Sequence, residues 1–298
     1  MKLVRYRNGK RTSYGTLTKD KIVCLPTLAK ALRQSFPKDL EALIALGAEG
    51  VTEAQELLKN AKKHEISPAS GSVNEVAVLA PIPKPGKIVC LGLNYRDHAA
   101  EQGKDVPDEP VIFMKPCTAI IGPKDSIVKP SFVKQLDYEA ELAIIIGKKA
   151  KNVSASEAES HIFGYTILND VSARDVQFKD KQWTRGKGFD TFAPTGPCVT
   201  TADEMRDTSN LAIRTWVNDD LRQDSSTRNM AFNVSEIIRQ LSQIMTLEPC
   251  DIIATGTPAG VGFAMKPQPK FLQAGDTVKI EIEGIGVLEN RVTEPAEL

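Results

Sequence analysis

Acidic residues alternate along one short segment of the sequence. Asp137, Glu139 and Glu141 are separated by single residues and precede the apolar run 142–146. Alternate side chains of a β-strand share one face, so the segment predicts three neighbouring carboxylates. A hard cation would relieve their repulsion, and carboxylate oxygens are the ligands that Mg²⁺ and Mn²⁺ prefer. Asp170 ends a second apolar segment and adds a fourth acid. A solvated acidic strand face is the alternative interpretation.

A histidine and a glutamate lie three residues apart in the polar segment 94–103. On one helical turn, His98 and Glu101 would be neighbours. A carboxylate beside an imidazole fixes its tautomer and raises its basicity, which is the arrangement of a general base. Gly103 and the polar residues after it indicate a segment that can move as a lid, over about residues 95–107. An exposed helical pair without a catalytic role is the alternative.

Hydrogen-bond donors follow these acids along the chain. Arg174 lies four residues after Asp170, Gln177 lies three further on, and Lys187 is flanked by glycines. Such groups suit a carboxylate or a developing oxyanion. The glycine-rich loop 254–262 can bring backbone N–H groups and the Thr257 hydroxyl close to an anion. No Gly-Lys-Ser/Thr follows it, so a nucleotide-binding enzyme is not favoured. Each of these groups taken alone also fits a structural role.

Apolar strands must position these groups. Beyond residue 85 the pattern predicts mostly strands, at 87–95, 140–147, 161–170, 212–218, 251–257 and 276–292. Helices are predicted there only at about 154–160 and 235–245. A capping box of Ser154 and Glu157 opens the first of them. Many strands, few helices and frequent Gly and Pro turns predict an α+β, β-rich fold.

The first 70 residues have a different pattern, which predicts a small N-terminal α/β domain. Strands are predicted at 2–6, 11–17 and 22–25, and helices at about 27–36, 39–47 and 52–62. Asn8-Gly9 is a hairpin signal, and Thr52 with Gln55 fits a capping box for the last helix. A Ser-, Pro- and Gly-rich connection follows at 66–86. We therefore expect a structural or dimer-supporting domain at 1–70 and a catalytic domain at 71–298.

Composition narrows the class of protein. The 298 residues are 41% apolar and 26% charged with zero formal net charge, which favours neither a nucleic-acid partner nor a membrane surface. No apolar run approaches the roughly 20 residues of a spanning helix. Five scattered cysteines suit a reducing compartment. The alternating start of the chain predicts a strand rather than a presequence, so we expect a cytoplasmic protein, with the mitochondrial matrix as the alternative.

Six ordered motifs between about residues 85 and 292 resemble the fumarylacetoacetate hydrolase family. They are Gly92-Leu93-Asn94-Tyr95 with His98 and Glu101, Phe113-Met114-Lys115-Pro116, the acidic segment 137–142, the segment 169–175, the segment 186–190 and the loop 255–262. Within this family the chain is most similar to the fumarylacetoacetate hydrolase domain-containing protein 2 group. Trp183 and the Phe-Asp-Thr-Phe run 189–192 carry that closer similarity.

The resemblance implies a mixed β-sheet roll with a metal at its open centre, commonly in a homodimer. It assigns Mg²⁺ or Mn²⁺ to Glu139, Glu141 and Asp170. It also implies a lid dyad that activates water, groups around the substrate's oxygens and a contact to its carboxylate. The corresponding residues are His98 and Glu101 for the dyad, Arg174, Gln177 and Lys187 for the oxygens, and Thr257 for the carboxylate.

The implied substrate is a small 2-oxo carboxylate that reacts through a metal-bound enolate. Similarity to the domain-containing protein 2 group favours oxaloacetate keto–enol tautomerisation. Acylpyruvate hydrolysis and oxaloacetate decarboxylation are the alternatives. Fumarylacetoacetate itself is not expected, because the loop 258–260 lacks the acid that pairs with the histidine in the long form of the family. A non-catalytic carboxylate-binding protein would predict a broken acidic triad or a missing dyad, and both are intact in the sequence.

Overall fold

In the computed structural model, which describes residues 1–180 and 182–296, β-strands form most of the framework. The strands are β1 Lys2–Asn8, β2 Arg11–Thr18, β3 Lys21–Cys24, β4 Ser70–Ser72, β5 Ala77–Leu79, β6 Ile88–Gly92, β7 Val111–Lys115, β8 Ile120–Ile121, β9 Ser126–Val128, β10 Leu136–Asp137, β11 Ala140–Ile146, β12 Ile162–Asn169, β13 Ser172–Ala173, β14 Ala193–Thr201, β15 Ala212–Val217, β16 Asp220–Ser226, β17 Ile252–Ala254, β18 Thr277–Ile282 and β19 Gly286–Thr293. The helices are α1 Leu25–Ala31, α2 Leu40–Ala45, α3 Ala48–Asn60, α4 Lys63–Ala69, α5 Arg96–Glu101, α6 Ala155–Ala158, α7 Arg174–Gln177, α8 Thr184–Lys187 and α9 Val234–Ile244. None of these helices is long and apolar enough to cross a membrane.

The strands form one large sheet and two smaller ones. The large sheet has the order β4-β3-β2-β1-β14-β12-β11-β17-β6-β7, with β5 added beside β1 and β8 beside β14. A second sheet has the order β16-β15-β18-β19-β9, and β10 pairs with β13 alone. Most pairings are antiparallel, but β17 runs parallel to β6. The mixed, sheet-rich α+β fold expected from the sequence is therefore confirmed.

Strand β11 lies at the centre of the large sheet and is buried on both faces. Ile144 packs on one side, in a core shared with α9 and the five-stranded sheet. Ile145 packs on the other side, in a core shared with α1, α2 and α3. A strand covered on both faces carries an apolar run rather than alternation, which explains the sequence of β11. Double coverage fixes the position of the acidic segment that precedes β11.

The N-terminal helices differ in detail from the prediction. The predicted capping box at Thr52 is wrong, because α3 begins at Ala48 and the Thr52 hydroxyl lies inside the helix, where it donates to the Ala48 carbonyl at 3.1 Å. The box at Ser154 is confirmed, since the Ser154 N–H donates to the Glu157 carboxylate at 3.1 Å. The connection predicted at 66–86 instead contains part of α4 and the short strands β4 and β5.

The sequence patterns did not reveal β14, a central strand of nine residues. Pro194 and Pro197 lie within it, and prolines argue against a central strand. The pairing of β14 with β12 shifts in register near Gly196. Strand β14 also pairs with β8. Because β14 also pairs with β1, the large sheet runs through the proposed N-terminal unit. The division at residue 70 stays a prediction.

Candidate active site

Four strand ends meet at one edge of the large sheet. In the antiparallel β11–β12 pair, Ala140 lies opposite Asn169, so the start of one strand is beside the end of the other. The Asp170 N–H donates to the Glu139 carbonyl at 2.9 Å across this pair. Strand β17 runs antiparallel to β11, and β6 runs parallel to β17, so both also end at this edge. The topology thus brings together segments that are far apart in sequence.

The three predicted metal ligands lie together at this edge. One carboxylate oxygen from each of Glu139, Glu141 and Asp170 lies within 4.8 Å of the other two. All three side chains are buried. Carboxylate oxygens in this number can hold a hard divalent cation while leaving positions for water or substrate.

Asp137 does not share this face, so the predicted row of three acids along one strand is wrong for it. The chain leaves strand geometry at residues 138–139, and Asp137 belongs to the separate β10–β13 pair. Its carboxylate accepts the N–H groups of Tyr138, Gly262 and Phe263 at 2.9, 2.7 and 3.1 Å. It also accepts Nε of Arg174 at 2.9 Å. With four donors, Asp137 positions Arg174 and the glycine-rich loop.

Buried cations lie among the acids. Nζ of Lys187 is 2.7 Å from Glu139 Oε2 and 2.5 Å from Asp170 Oδ2. Nζ of Lys115 is 2.5 Å from Asp170 Oδ1. Nη2 of Arg174 is 2.6 Å from Glu139 Oε1. Glu139 and Asp170 are therefore paired, whereas Glu141 has no cationic partner among the described residues.

The electrostatics of Glu139 and Glu141 differ in consequence. Burial raises the pKa of Glu139, but the charges of Lys187 and Arg174 outweigh it and hold that pKa well below its ordinary value. Burial, then the neighbouring charges of Asp170 and Glu139, raises the pKa of Glu141 well above its ordinary value. Oε2 of Glu141 accepts the Gly256 N–H at 2.7 Å, while its buried Oε1 has no hydrogen-bond partner among the described residues. An unpartnered buried carboxylate oxygen beside two other acids fits a divalent cation.

The predicted His–Glu dyad is formed on α5. Nδ1 of His98 lies 2.6 Å from Oε1 of Glu101. The other oxygen of Glu101 accepts the Gly260 N–H at 2.9 Å, which ties the helix to the glycine-rich loop. The other ring nitrogen of His98 lies 2.8 Å from the side-chain amide of Gln102. The histidine is buried, so its hydrogen bonds define its ring orientation.

The predicted substrate-binding groups are also oriented by their neighbours. Nη1 of Arg174 donates to Oε1 of Gln177 at 2.9 Å, so the NH₂ of Gln177 is the end that can donate to a ligand. The Thr257 hydroxyl accepts from Nε2 of Gln223 at 2.8 Å and keeps its own proton for another acceptor. Oε1 of Gln223 accepts from Thr215 at 2.8 Å, which fixes the direction of the Gln223 amide.

A cavity of about 120 Å³ brings these groups to one space. Its lining includes His98, Gln102, Glu139, Arg174, Gln177, Lys187 and Thr257. The Phe263 ring covers one side, with its centroid 4.5 Å from the Arg174 guanidinium. The Trp183 ring covers another and packs where a side chain at Gly92 would lie. The lining of the cavity thus combines charged side chains with aromatic rings.

The sequence motifs indicate no role for Lys115, Gln223 or Gln102. Lys115 carries a usable signal, because it alternates with Phe113 on the buried side of β7. Gln223 and Gln102 carry none, since glutamine on a strand or next to a helix end is ordinary. The role of Gln223 depends on its contact with Thr257, 34 residues away in the sequence. The role of Gln102 depends on the side-chain conformation that places it beside His98.

Known proteins are similar to this chain in both sequence and fold. A model of the fumarylacetoacetate hydrolase C-terminal region matches residues 87–293. The oxaloacetate tautomerase YisK of Bacillus subtilis is 43% identical over 281 residues, covering 92% of this chain and 93% of that protein. The human mitochondrial oxaloacetate tautomerase FAHD2A is 43% identical over 264 residues, covering 88% of this chain and 82% of that protein.

A solved structure extends the similarity to the whole fold. The fumarylacetoacetate hydrolase of Exiguobacterium antarcticum superimposes with a TM-score of 0.82 and 36% identity, covering 99% of this chain and 100% of that one. The family match includes every residue of the acidic cluster, the dyad and the donor groups. The predicted family is therefore confirmed, and the chain is an enzyme of the fumarylacetoacetate hydrolase family.

Proposed function

We propose that the enzyme interconverts the enol and keto forms of oxaloacetate, with Mg²⁺ or Mn²⁺ held by Glu139, Glu141 and Asp170. The observation that carries the proposal is the unpartnered Glu141 oxygen within a buried cluster of three acids. The names of the Bacillus subtilis and human relatives support oxaloacetate as the substrate. Both relatives are similar along most of their length.

The donor groups of the cavity suit a small 2-oxo carboxylate. Arg174, the NH₂ of Gln177 and the Thr257 hydroxyl can bind carboxylate oxygens by charge-assisted hydrogen bonds. Phe263 and Trp183 exclude water from the sides and strengthen these contacts. The limited volume of the cavity favours a substrate of few atoms.

Charge develops on the 2-oxygen when the proton at C3 is removed or returned. A bound divalent cation supplies Lewis-acid stabilisation of that charge. The Lys187 ammonium, held between Glu139 and Asp170, can donate a hydrogen bond to the same oxygen. The keto and enol forms differ only in the positions of a proton and a double bond, so the reaction needs no attacking water.

Acylpyruvate hydrolysis is the second candidate, and the geometry of the dyad favours it. His98 with Glu101 at 2.6 Å has the form of a base that can deprotonate water. Oxaloacetate decarboxylation would use the same charge stabilisation at the 2-oxygen. A non-catalytic carboxylate-binding protein is disfavoured, because the acids and the dyad come together in the fold.

We also propose that the chain forms a homodimer. Phe132 is 63% exposed and lies with Met114 and Phe189 along a surface groove of about 780 Å³. Exposed apolar surface of this kind is typical of a protein–protein contact. The cytoplasm stays the predicted compartment, with the mitochondrial matrix as its alternative.

A side-by-side assay tests the proposed activity. Enol-oxaloacetate, acetylpyruvate and keto-oxaloacetate are each supplied to the Mg²⁺- or Mn²⁺-loaded protein. Loss of the enol, release of acetate and release of CO₂ are measured. We expect enol-oxaloacetate conversion to have the highest kcat/KM. A higher kcat/KM for acetylpyruvate cleavage or for CO₂ release would replace tautomerisation with that activity.

A further inference from the structure

The side-chain amide of Gln102 lies against Nε2 of His98, the ring nitrogen that would act as the base of the dyad. Its amide lies 2.8 Å from Nε2 of His98, at the wall of the same cavity. Gln102 directly follows α5 and is half-buried. Among the described residues its side chain hydrogen-bonds to His98 and Lys104 and not to the acidic cluster or a predicted substrate-binding group, so the proposed mechanism leaves it without a role.

The neighbours of Gln102 determine which end of the amide faces His98. Nζ of Lys104 lies 3.1 Å from Oε1 of Gln102, and an ammonium can only donate. The oxygen therefore faces Lys104, and the NH₂ faces His98. On the other side of the ring, the Glu101 carboxylate accepts from Nδ1. Together these contacts select the neutral imidazole with its proton on Nδ1 and its lone pair on Nε2.

The same lone pair would have to receive a proton from water in a hydrolysis. A water that is deprotonated by Nε2 must lie within about 2.6–3.2 Å of it. The amide nitrogen of Gln102 already fills that position at 2.8 Å. The amide nitrogen cannot replace water in this role, because its deprotonation would supply no hydroxide to add to C4.

We propose that Gln102 is a positioning residue that keeps hydrolytic water away from His98 and so favours tautomerisation over carbon–carbon bond cleavage. The inference rests on the proposed function. Cleavage of an acylpyruvate requires the oxygen of water to add to C4, the C3–C4 bond to break and C3 to take up a proton. Tautomerisation moves one proton between C3 and the 2-oxygen. Blocking water at Nε2 therefore stops the first reaction at its start and leaves the second possible.

Two variants separate the filling of space from the hydrogen bond. Gln102→Ala opens the position beside Nε2, and Gln102→Met fills it without an N–H. The measured quantity is the ratio of kcat for acetylpyruvate hydrolysis to kcat for enol-oxaloacetate conversion. We expect the ratio to rise by about 10²-fold or more in Gln102→Ala, the lower end of a general-base contribution. It should stay close to wild type in Gln102→Met. An unchanged or lower ratio in folded Gln102→Ala would overturn the proposal.

A second readout does not depend on activity. ¹⁵N NMR of the histidine rings in the metal-free protein reports which nitrogen carries the proton, and His98→Asn identifies the signal. We expect Nδ1 to be protonated in wild type and the Nε2 signal to move towards that of a free lone pair in Gln102→Met. A wild-type proton on Nε2 would refute the inference directly. Absence of enol-oxaloacetate turnover with the expected NMR signals would instead reject the proposed function alone.

Discussion

Replacing Glu141 with glutamine should stabilise the metal-free protein and remove its response to divalent metal. Glu141 is fully buried, and its Oε1 has no partner among the described residues. Burial and the neighbouring charges of Asp170 and Glu139 disfavour its ionised form and raise its pKa. Glutamine keeps the shape and can still accept the Gly256 N–H, while its NH₂ can donate to a neighbouring carboxylate.

The size of the effect follows from that environment. An unsatisfied buried polar group costs about 1–3 kcal/mol, so the variant should gain about that amount of unfolding free energy. For a chain of this size, 1 kcal/mol corresponds to about 2 °C in Tm, which gives a rise of about 2–6 °C. Metal at about 100 times its Kd should stabilise the wild type by about 2.7 kcal/mol, or about 5 °C. The variant should lose nearly all of that gain, because it lacks one of the three carboxylates.

Calorimetric unfolding with EDTA, and separately with MgCl₂ or MnCl₂, measures both effects. Glu56→Gln, on an exposed position of α3, is the matched control and should change neither Tm. Isothermal titration with Mn²⁺ measures the metal affinity directly. A metal-free Glu141→Gln protein less stable than wild type would refute the account of the unpaired oxygen. An undiminished metal response in the variant would refute the assignment of Glu141 as a ligand.

Other predictions address the lid, the dyad and the dimer. Residues 95–107 should exchange amide hydrogens more slowly with saturating oxalate and Mg²⁺, because the ligand closes the polar segment over the cavity; unchanged exchange would argue against a lid. In the Gln102→Ala background, where Nε2 is open to water, His98→Ala should reduce acylpyruvate hydrolysis by about 10²–10⁴-fold and tautomerisation less, whereas Lys187→Ala should damage both; equal losses on replacing His98 would give the dyad a role in the shared step. Phe132→Asp should convert the homodimer to a monomer, as measured by light scattering. Ile244→Asp, at an equally exposed position, should not. If Phe132→Asp stays dimeric, the dimer interface lies elsewhere.

The acidic cluster was predictable because it depends on local features. Asp170 ends an apolar strand and Glu139 precedes another, and antiparallel pairing places such ends side by side. The separation of Asp137 from the face of Glu139 and Glu141 was not predictable, because the strand is interrupted at residues 138–139 by contacts to the loop 260–263. Alternation is a reliable guide only where a strand stays regular.

The strands of the framework were likewise predictable only in part. Strand β11 was evident from its apolar run, whereas β14 was hidden by two prolines that a central strand rarely contains. The roles of Lys115 and Gln102 depend on which atoms face them in the folded chain. Lys115 meets Asp170 across 55 residues of sequence, a distance over which periodicity carries no information.

In our proposal, one buried acidic cluster holds a divalent metal and supports the enol–keto conversion of oxaloacetate. The most direct measurement follows the ultraviolet absorbance of enol-oxaloacetate with purified protein, first in EDTA and then after Mg²⁺ or Mn²⁺ is restored. We expect enzymatic conversion to stop in EDTA and to return with metal in wild type but not in Glu139→Gln. Full conversion in EDTA, or none with either metal, would contradict the claim.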